Sequence, residues 1–418
     1  MTSRPPLFST AAGAISGAGA QSTLDGTREL LTTQAALLNA TADLVSRFSR
    51  RRLLRRRWRQ QAAVRREAAE HAVEVKTMTP RLLVLGIISN PRTPHTRDWI
   101  RSTYKAVPVA SVDGEALVRF VMGRRGLSSP DRSKLKVEHR KHRDLEFIDA
   151  SDFAERGGIF SCIDKLFAWF PHAFTTFPGA SFYAKADDDS YVDVRQLVRM
   201  LRPLAPLRNA YLGYVQYDSF LPAEWKHCGW AAGPIGAAHA FRHGCRHPDA
   251  TGPFPFVVGA LTVLGADLAG WMATSPYLHA LVEAGRASQS EPIRHWDCGY
   301  SDVTLGYALA SANLSVSLVA VRNAMRDATY GAMTAKRFVV SHHLRQKPQF
   351  VAAHAETTAA GDWNVRASPC TPWPEVWRHP SAPALHNAEG GEAVQLRAAM
   401  AAFGCCQRWS VCEVSPDL

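Results

Sequence analysis

The sequence predicts an α/β fold with a mainly parallel sheet, on two observations. Strand-like and helix-like segments alternate between residues 79 and 350, the pattern of strands joined by crossover helices. One such strand, Ser181 to Ala186, runs directly into Asp187, Asp188 and Asp189. In open α/β sheets, ligands bind outside the carboxyl ends of the strands, so the aspartates mark that edge.

Three regions separate by composition. Residues 1–78 begin with small residues and then turn helical: Leu30, Leu37 and Leu44 recur every seven residues, each followed by a second apolar side chain. That spacing over 27–48 suits one face of a helix and possible self-association as a short coiled coil. The run continues into the arginine-rich stretch 50–59, too charged on every side for a core helix, so the region reads as a partly disordered helical stalk. Ten arginines and no acid lie between Arg47 and Arg66, leaving +2 of the net +12 for everything else. The stretch suits an anionic surface or nucleic acid, but no specific nucleic acid is expected for the folded body.

Across residues 79–350, Arg81 to Ser89 is a continuous apolar run consistent with a strand buried on both faces. A helix is expected over Thr96 to Tyr104 after the Asn90-Pro91 break, a strand over Leu117 to Met122, and helices over Ile159 to Phe170 and Val194 to Leu201. The last region, 351–418, has little periodicity but holds Trp363, Trp373, Trp377, Trp409 and four of the eight cysteines, and reads as a packed extension. No cysteine pair has the two-residue gap of a zinc or thioredoxin motif, and two glycosylation sequons permit a lumenal compartment. No stretch reaches the roughly 18 apolar residues of a membrane-spanning helix, and as written the sequence reads as a soluble chain.

Three consecutive carboxylates at a strand end are electrostatically expensive unless a cation sits with them. Hard oxygen ligands suit Mn²⁺ or Mg²⁺, which can bridge a diphosphate. A solvated acidic turn is the competing reading. A metal-dependent phosphoryl-transfer enzyme would want a phosphate-cradling glycine loop, and no Walker-type motif is present.

The wider pattern resembles the β-1,3-galactosyltransferase superfamily, glycosyltransferase family 31. Arg97-Asp-Trp-Ile-Arg101-Ser-Thr-Tyr104 looks like that family's first block, and Asp164-Lys165-Leu166 like the helix before its aspartates. Lys185-Ala-Asp187-Asp188-Asp189 with Tyr191-Val192 resembles its aspartate signature, Pro255 to Asp267 its glycine-containing block, and Ser301-Asp302-Val303 with Gly306 its last block. Four positions depart: Ser301 stands where an acid is usual, Val257-Val258 where many members have Cys-Ser, and Leu261 where a second Gly is common.

The resemblance implies a GT-A-type, Rossmann-like nucleotide-sugar domain. It implies an inverting hexosyltransferase that uses Mn²⁺ (or Mg²⁺) to move galactose, or N-acetylglucosamine, from a UDP-sugar to a glycan or glycoprotein acceptor. In that assignment Asp189 is the metal ligand, Asp187 supports it, and Asp302 is the base. His343 is favoured over His342 to complete the metal site. Arg97, Arg101, Asp187 and Asp188 fall to the nucleotide end, although the two arginines also suit a purely structural role in the first helix. Golgi lumen or membrane is the implied compartment. An inactive glycosyltransferase-like scaffold is the alternative.

Overall fold

The computed structural model describes residues 81–111, 113–153, 163–223, 225–227, 249–288, 301–321, 324–327, 335–372, 406 and 408–416. All of them fall within one compact unit, Met78–Leu418. The stalk, its 27–48 helix and the 50–59 arginine stretch lie outside the described residues.

The sheet starts with four parallel strands: β1 Leu83–Ile88, β2 Ala116–Arg125, β3 Leu145–Ser151 and β4 Phe182–Asp187. Every residue of β1 is buried, as its unbroken apolar run requires. Between these strands run α1 Pro94–Arg101, α2 Ser129–His142 and α3 Ile163–Thr176. The short β5 Tyr191–Val192 and α4 Val194–Leu201 follow β4, with the Asp193 side chain accepting from the Gln196 amide to cap α4.

Next come β6 Ala210–Gly213, β7 Val215–Leu221, β8 Lys226–His227, β9 Thr251–Val257 and β10 Leu261–Gly265. Then follow α5 Ala266–Thr274, α6 Pro276–Ser288, α7 Ser301–Ser311, β11 Ser317–Val321, β12 Met325–Asp327 and β13 Val340–His342. The chain closes with α8 Lys347–Ala360, β14 Val365–Ala367, β15 Thr371–Pro372 and β16 Ser410–Pro416.

The main sheet has the order β14-β16-β11-β6-β10-β4-β1-β2-β3, with β15 also paired to β16. It is mainly parallel. β10 runs antiparallel to both neighbours, joining the parallel group β4-β1-β2-β3 to the parallel group β6-β11-β16. The predicted α/β class is therefore observed. One core, with Trp169, Tyr183 and Phe256, packs beneath α3, α5 and α7; the other, with Ile100, Leu197 and Phe350, packs beneath α1, α4 and α8.

Two local expectations change in register. The helix read over 96–104 begins at Pro94, whose fixed φ suits a first helical position, and ends at Arg101. The helix read over 159–170 is described from Ile163 and continues to Thr176. Strand β16, contributed by the C-terminal extension, lies within the main sheet beside β11. A disulfide joins Cys370 to Cys412, next to the β15–β16 pairing.

Candidate active site

The carboxyl end of β4 meets a second, three-stranded sheet of order β12-β13-β5. Pairing of Val340 with Val192 and Ser341 with Tyr191 brings the end of β13 under the turn after β4, and Leu344 N–H donates to the Asp189 carbonyl at 2.8 Å. Parallel pairing of β12 with β13 sets Asp327 beside His342. Asp327 is 1 % exposed at its side chain, so its carboxylate must be paired, and it is. Its Oδ2 lies 3.1 Å from His342 Nδ1 and 2.8 Å from His343 Nδ1.

The other face of the His342 ring points at the aspartates. His342 Nε2 is 3.3 Å from Asp189 Oδ1 and 3.8 Å from Asp187 Oδ2. Burial pushes the His342 imidazole down, but hydrogen bonds to Asp189 and Asp327 and the charges around it carry it up to about 9. For Asp189, burial acts upward, and His342 and His343 bring the carboxyl below the usual range.

One ligand atom each from Asp189, His342 and His343 lies within 4.8 Å of the others. That spread is compatible with a single divalent ion at about 2.0–2.6 Å from each donor, and mixed carboxylate and imidazole donors suit Mn²⁺. A buried carboxylate behind a ligating histidine is also the usual device for fixing the ring's tautomer. The residues therefore fit the implied metal. His343, favoured from the sequence, belongs to this group; the direct contact with Asp189 and Asp187 is made by His342.

Asp188 is used differently from its neighbours. Its Oδ2 accepts from Ser89 Oγ and from the Asn90 amide, both at 3.0 Å, so the middle aspartate fastens the end of β4 to the end of β1. Burial raises its carboxyl, against the pull of the Asn90 amide. Its Oδ2 is thus committed to the β1 end.

Arg97 and Arg101 are likewise engaged within the protein, as their structural reading expects. Arg97 is wholly buried: Nε and Nη2 donate to the Glu138 carboxylate, and Nη1 donates to Ser89 Oγ and the Asn90 carbonyl. Arg101 binds Asp98, Glu138 and Asp144. Both guanidinium groups have their donors engaged by protein, and a planar fork buried this way serves as a brace. Lys165, also fully buried, braces the loop from the other side by donating to the Ser89 carbonyl and to Asp152 Oδ1. Thus the block around Arg97 stiffens the β1 end that holds Asp188.

Asp302 lies in the first turn of α7. Its position depends on two glycines. Gly306 lets α7 approach β9, where an added Cβ would meet Phe256 Cβ at 2.4 Å. Gly259 N–H donates to Asp302 Oδ2 at 3.0 Å, while the Gly259 carbonyl accepts from Lys185 Nζ at 2.5 Å. Lys185 Nζ also pairs with Asp187 Oδ1 at 2.7 Å.

A Cβ on Gly259 would lie 3.0 Å from Lys185 Nζ, 3.2 Å from Asp187 Oδ2 and 3.7 Å from Asp302 Oδ2. The metal strand and the candidate base therefore face one small space through a single glycine. Burial raises the Asp302 carboxyl, opposed by Lys185 and the Gly259 amide. A carboxyl shifted upward is a better proton acceptor near neutral pH.

Sequence reasoning did not assign roles to Asp327, Lys185 or Gly259. The last two lie inside quoted motifs, but only the fold shows what they touch. Asp327 carried no sequence signal, since its partner is fifteen residues away across a parallel pairing.

Comparison with known proteins adds a family to this geometry. Residues 95–227 match the family described as galactosyltransferase. Beta-1,3-galactosyltransferase 6 of Mus musculus is 25 % identical over 203 residues, covering 47 % of this chain and 56 % of that protein. The chain thus spans about half the length of this curated relative. Two solved structures of the galactosyltransferase LgtC, one an active-site mutant and one with donor and acceptor sugar analogues, are each 12 % identical. They cover 65 % of this chain and 94 % and 95 % of theirs, with TM-scores of 0.34 and 0.35. At those scores the fold has to be read from the sheet itself. The matched segment, residues 95–227, carries Arg97 and the three aspartates, and over it the chain is similar to the galactosyltransferase family.

Proposed function

We propose that the protein is a metal-dependent, inverting hexosyltransferase that moves galactose, or N-acetylglucosamine, from a UDP-sugar to a glycan hydroxyl in β-1,3 linkage. The observation that carries the reading is the pairing of two groups around Gly259. Asp189 and His342 form a cation-ready cluster on one side, and a buried carboxyl with raised affinity for protons, Asp302, lies on the other.

Breaking the bond between sugar and diphosphate builds negative charge on the leaving group. A divalent ion held by Asp189 and His342, with His343 beside them, supplies positive charge against it when bound. Asp327 holds the His342 ring so that Nε2 faces the site. Lys185 fixes Asp187 and, through the Gly259 peptide, the place of Asp302. Inversion calls for a base on the face of the sugar opposite the leaving group; Asp302 Oδ2 takes the acceptor hydroxyl's proton as the new bond forms.

A Golgi lumenal setting is part of the proposal. Cys370–Cys412 is a disulfide and Cys406 is disulfide-bonded, which suits an oxidising compartment. Among the described residues no helix is long and apolar enough to cross a membrane.

The test is UDP release by the purified full chain against a panel of UDP-sugars, with and without Mn²⁺, beside Asp189→Ala. Metal-dependent turnover of one donor, lost in the variant, is the expected result and names the sugar. Absence of both turnover and Mn²⁺-dependent UDP binding would overturn the reading in favour of an inactive scaffold.

A further inference from the structure

Helix α2 is a polar helix with one buried apolar side chain, Leu135, and its solvent face is strongly basic. Arg132, Lys134, Lys136, Arg140, Lys141 and Arg143 are all exposed on it or at its C-terminal cap. Its two acids are turned away from that face: Asp131 pairs with Arg92, and Glu138 with Arg97 and Arg101. Among the described residues none of the six cations forms an ion pair. Elsewhere exposed arginines do find acids, as in Arg202 with Glu115, Arg199 with Asp362 and Arg208 with Asp267.

Helix stability does not account for the pattern. Cations in the last turn complement the helix dipole, but Arg132 lies in the first turn, where positive charge is disfavoured. Lys134 and Lys141 have Asp131 and Glu138 within a turn, but Arg132, Lys136 and Arg140 are four-residue neighbours of one another, a repulsive arrangement where like charges meet. A row of like charges kept on one surface is the footprint of a polyanion.

We propose that the solvent face of α2 is a binding surface for a linear anionic glycan, carrying sulfate or carboxylate groups. Arg132, Lys136 and Arg140 follow one another at four-residue steps, roughly 6 Å apart along the axis, so they form a row that an extended polyanion can follow. The remaining cations widen the strip around a convex helix. A flat bilayer would touch such a cylinder along one row only, and the face offers a single large exposed apolar side chain, Val137, for insertion. Single-stranded nucleic acid is held by aromatic platforms, and this face carries none. The choice of a glycan over other flexible polyanions rests on the transferase reading above; the charge argument does not.

The strip is linked to the site without being part of it. Arg92, whose side chain holds Asp131 near the start of α2, lies two residues beyond Asn90, whose amide holds Asp188. An anionic chain on α2 would therefore be tethered at the edge of the candidate active site, raising the local concentration of acceptor ends.

The experiment measures binding of a heparin-derived dodecasaccharide to the full chain by fluorescence anisotropy across a salt series. Because the 50–59 arginines also attract anions, the comparison is made in two backgrounds: wild type, and a chain with Arg50, Arg51, Arg52, Arg55, Arg56, Arg57 and Arg59 changed to Gln. In each, Arg132→Gln, Lys136→Gln and Arg140→Gln are introduced together. The expected result is a tenfold or greater loss of affinity at about 0.15 M salt, with the salt slope smaller by about two, consistent with three lost contacts. Thermal midpoint and donor turnover should not move.

An unchanged affinity and slope in the neutralised background would overturn the proposal. So would phosphatidylserine vesicles or an oligonucleotide that match the dodecasaccharide charge for charge and lose as much in the triple variant. Failure of the transferase reading would show separately, as absent donor turnover in the wild-type chain.

Discussion

Asp302 and Gly259 are joined by one hydrogen bond, Gly259 N–H to Asp302 Oδ2 at 3.0 Å, and a Cβ on the same glycine would press on Lys185 Nζ at 3.0 Å. An alanine methyl would crowd Lys185 Nζ and Asp187 Oδ2 together with Asp302. Gly259→Ala should therefore separate the base from the metal strand while leaving the sheet intact. Turnover is expected to fall by about 10- to 100-fold, or about 1.4–2.7 kcal/mol of barrier. Thermal midpoint and UDP-release kinetics measured side by side check this; unchanged kinetics would mean the site does not use the Asp302–Gly259 contact.

Asp302→Asn offers a cleaner separation of chemistry from geometry. An amide oxygen can still accept from Gly259, so the helix should stay in place, but the group no longer takes a proton. A loss of about 10²- to 10⁴-fold in kcat is expected, with Mn²⁺-dependent UDP affinity kept within about threefold. Equal loss of UDP binding would point to a donor-binding role for Asp302.

Asp327→Asn should act on metal affinity instead. Removing the carboxylate behind His342 and His343 frees both rings, and loss of such a support typically costs about 10- to 100-fold in metal affinity. Titration of Mn²⁺ by calorimetry or electron paramagnetic resonance reads this without any substrate.

The pH dependence of metal binding has a defined sign. His342 without metal holds its proton up to about 9, whereas a metal ligand must be neutral. Between the ordinary imidazole value and about 9, Mn²⁺ affinity should rise with pH, and binding should release protons detectable as buffer-dependent heat. In the metal-free protein the linkage runs the other way. Stability from the His342–Asp189 and His342–Asp327 contacts is fully present below the ordinary imidazole pKa and is lost as pH rises through about 9. In turnover, Asp302 must be ionised, and its upward shift places the acid limb of the rate profile above the ordinary carboxylate range.

The Cys370–Cys412 disulfide closes a loop with a sequence separation of 42. In the chain-entropy view a loop of that length contributes up to about 4 kcal/mol, with strain and residual structure reducing the realised amount. Cys370→Ser with Cys412→Ser is expected to lower the thermal midpoint by several degrees under oxidising conditions. A midpoint that does not shift would show that β16 is held by its pairing alone.

Much of the fold was legible wherever burial is continuous. The apolar runs of β1 and β4 allow little but strands enclosed on both faces, and α4 matches its predicted span residue for residue. Helix α2 was not legible, because only Leu135 is buried and no apolar stripe repeats along it. That omission hid the partners of the two arginines. Arg97 looks available in the sequence, but Glu138, which occupies its guanidinium, comes from the helix that periodicity could not reveal.

The site divides along the same line. Asp189 and Asp302 fall within local patterns that the sequence displays. Asp327 reaches His342 only because two short strands pair in parallel, and nothing near it in the chain announces that partner.

The placement of β16 sets an order for the protein's birth. β11 is made early enough to pair with β6, but its other edge is filled by a strand that emerges roughly 90 residues later, about 5–20 s at ordinary rates of synthesis. For that interval a nascent chain shows Leu318, Val319 and Ala320 along an open edge, the kind that recruits strands from neighbouring chains. Chains cut before β16 would be exposed to aggregation and quality control before any question of catalysis arises.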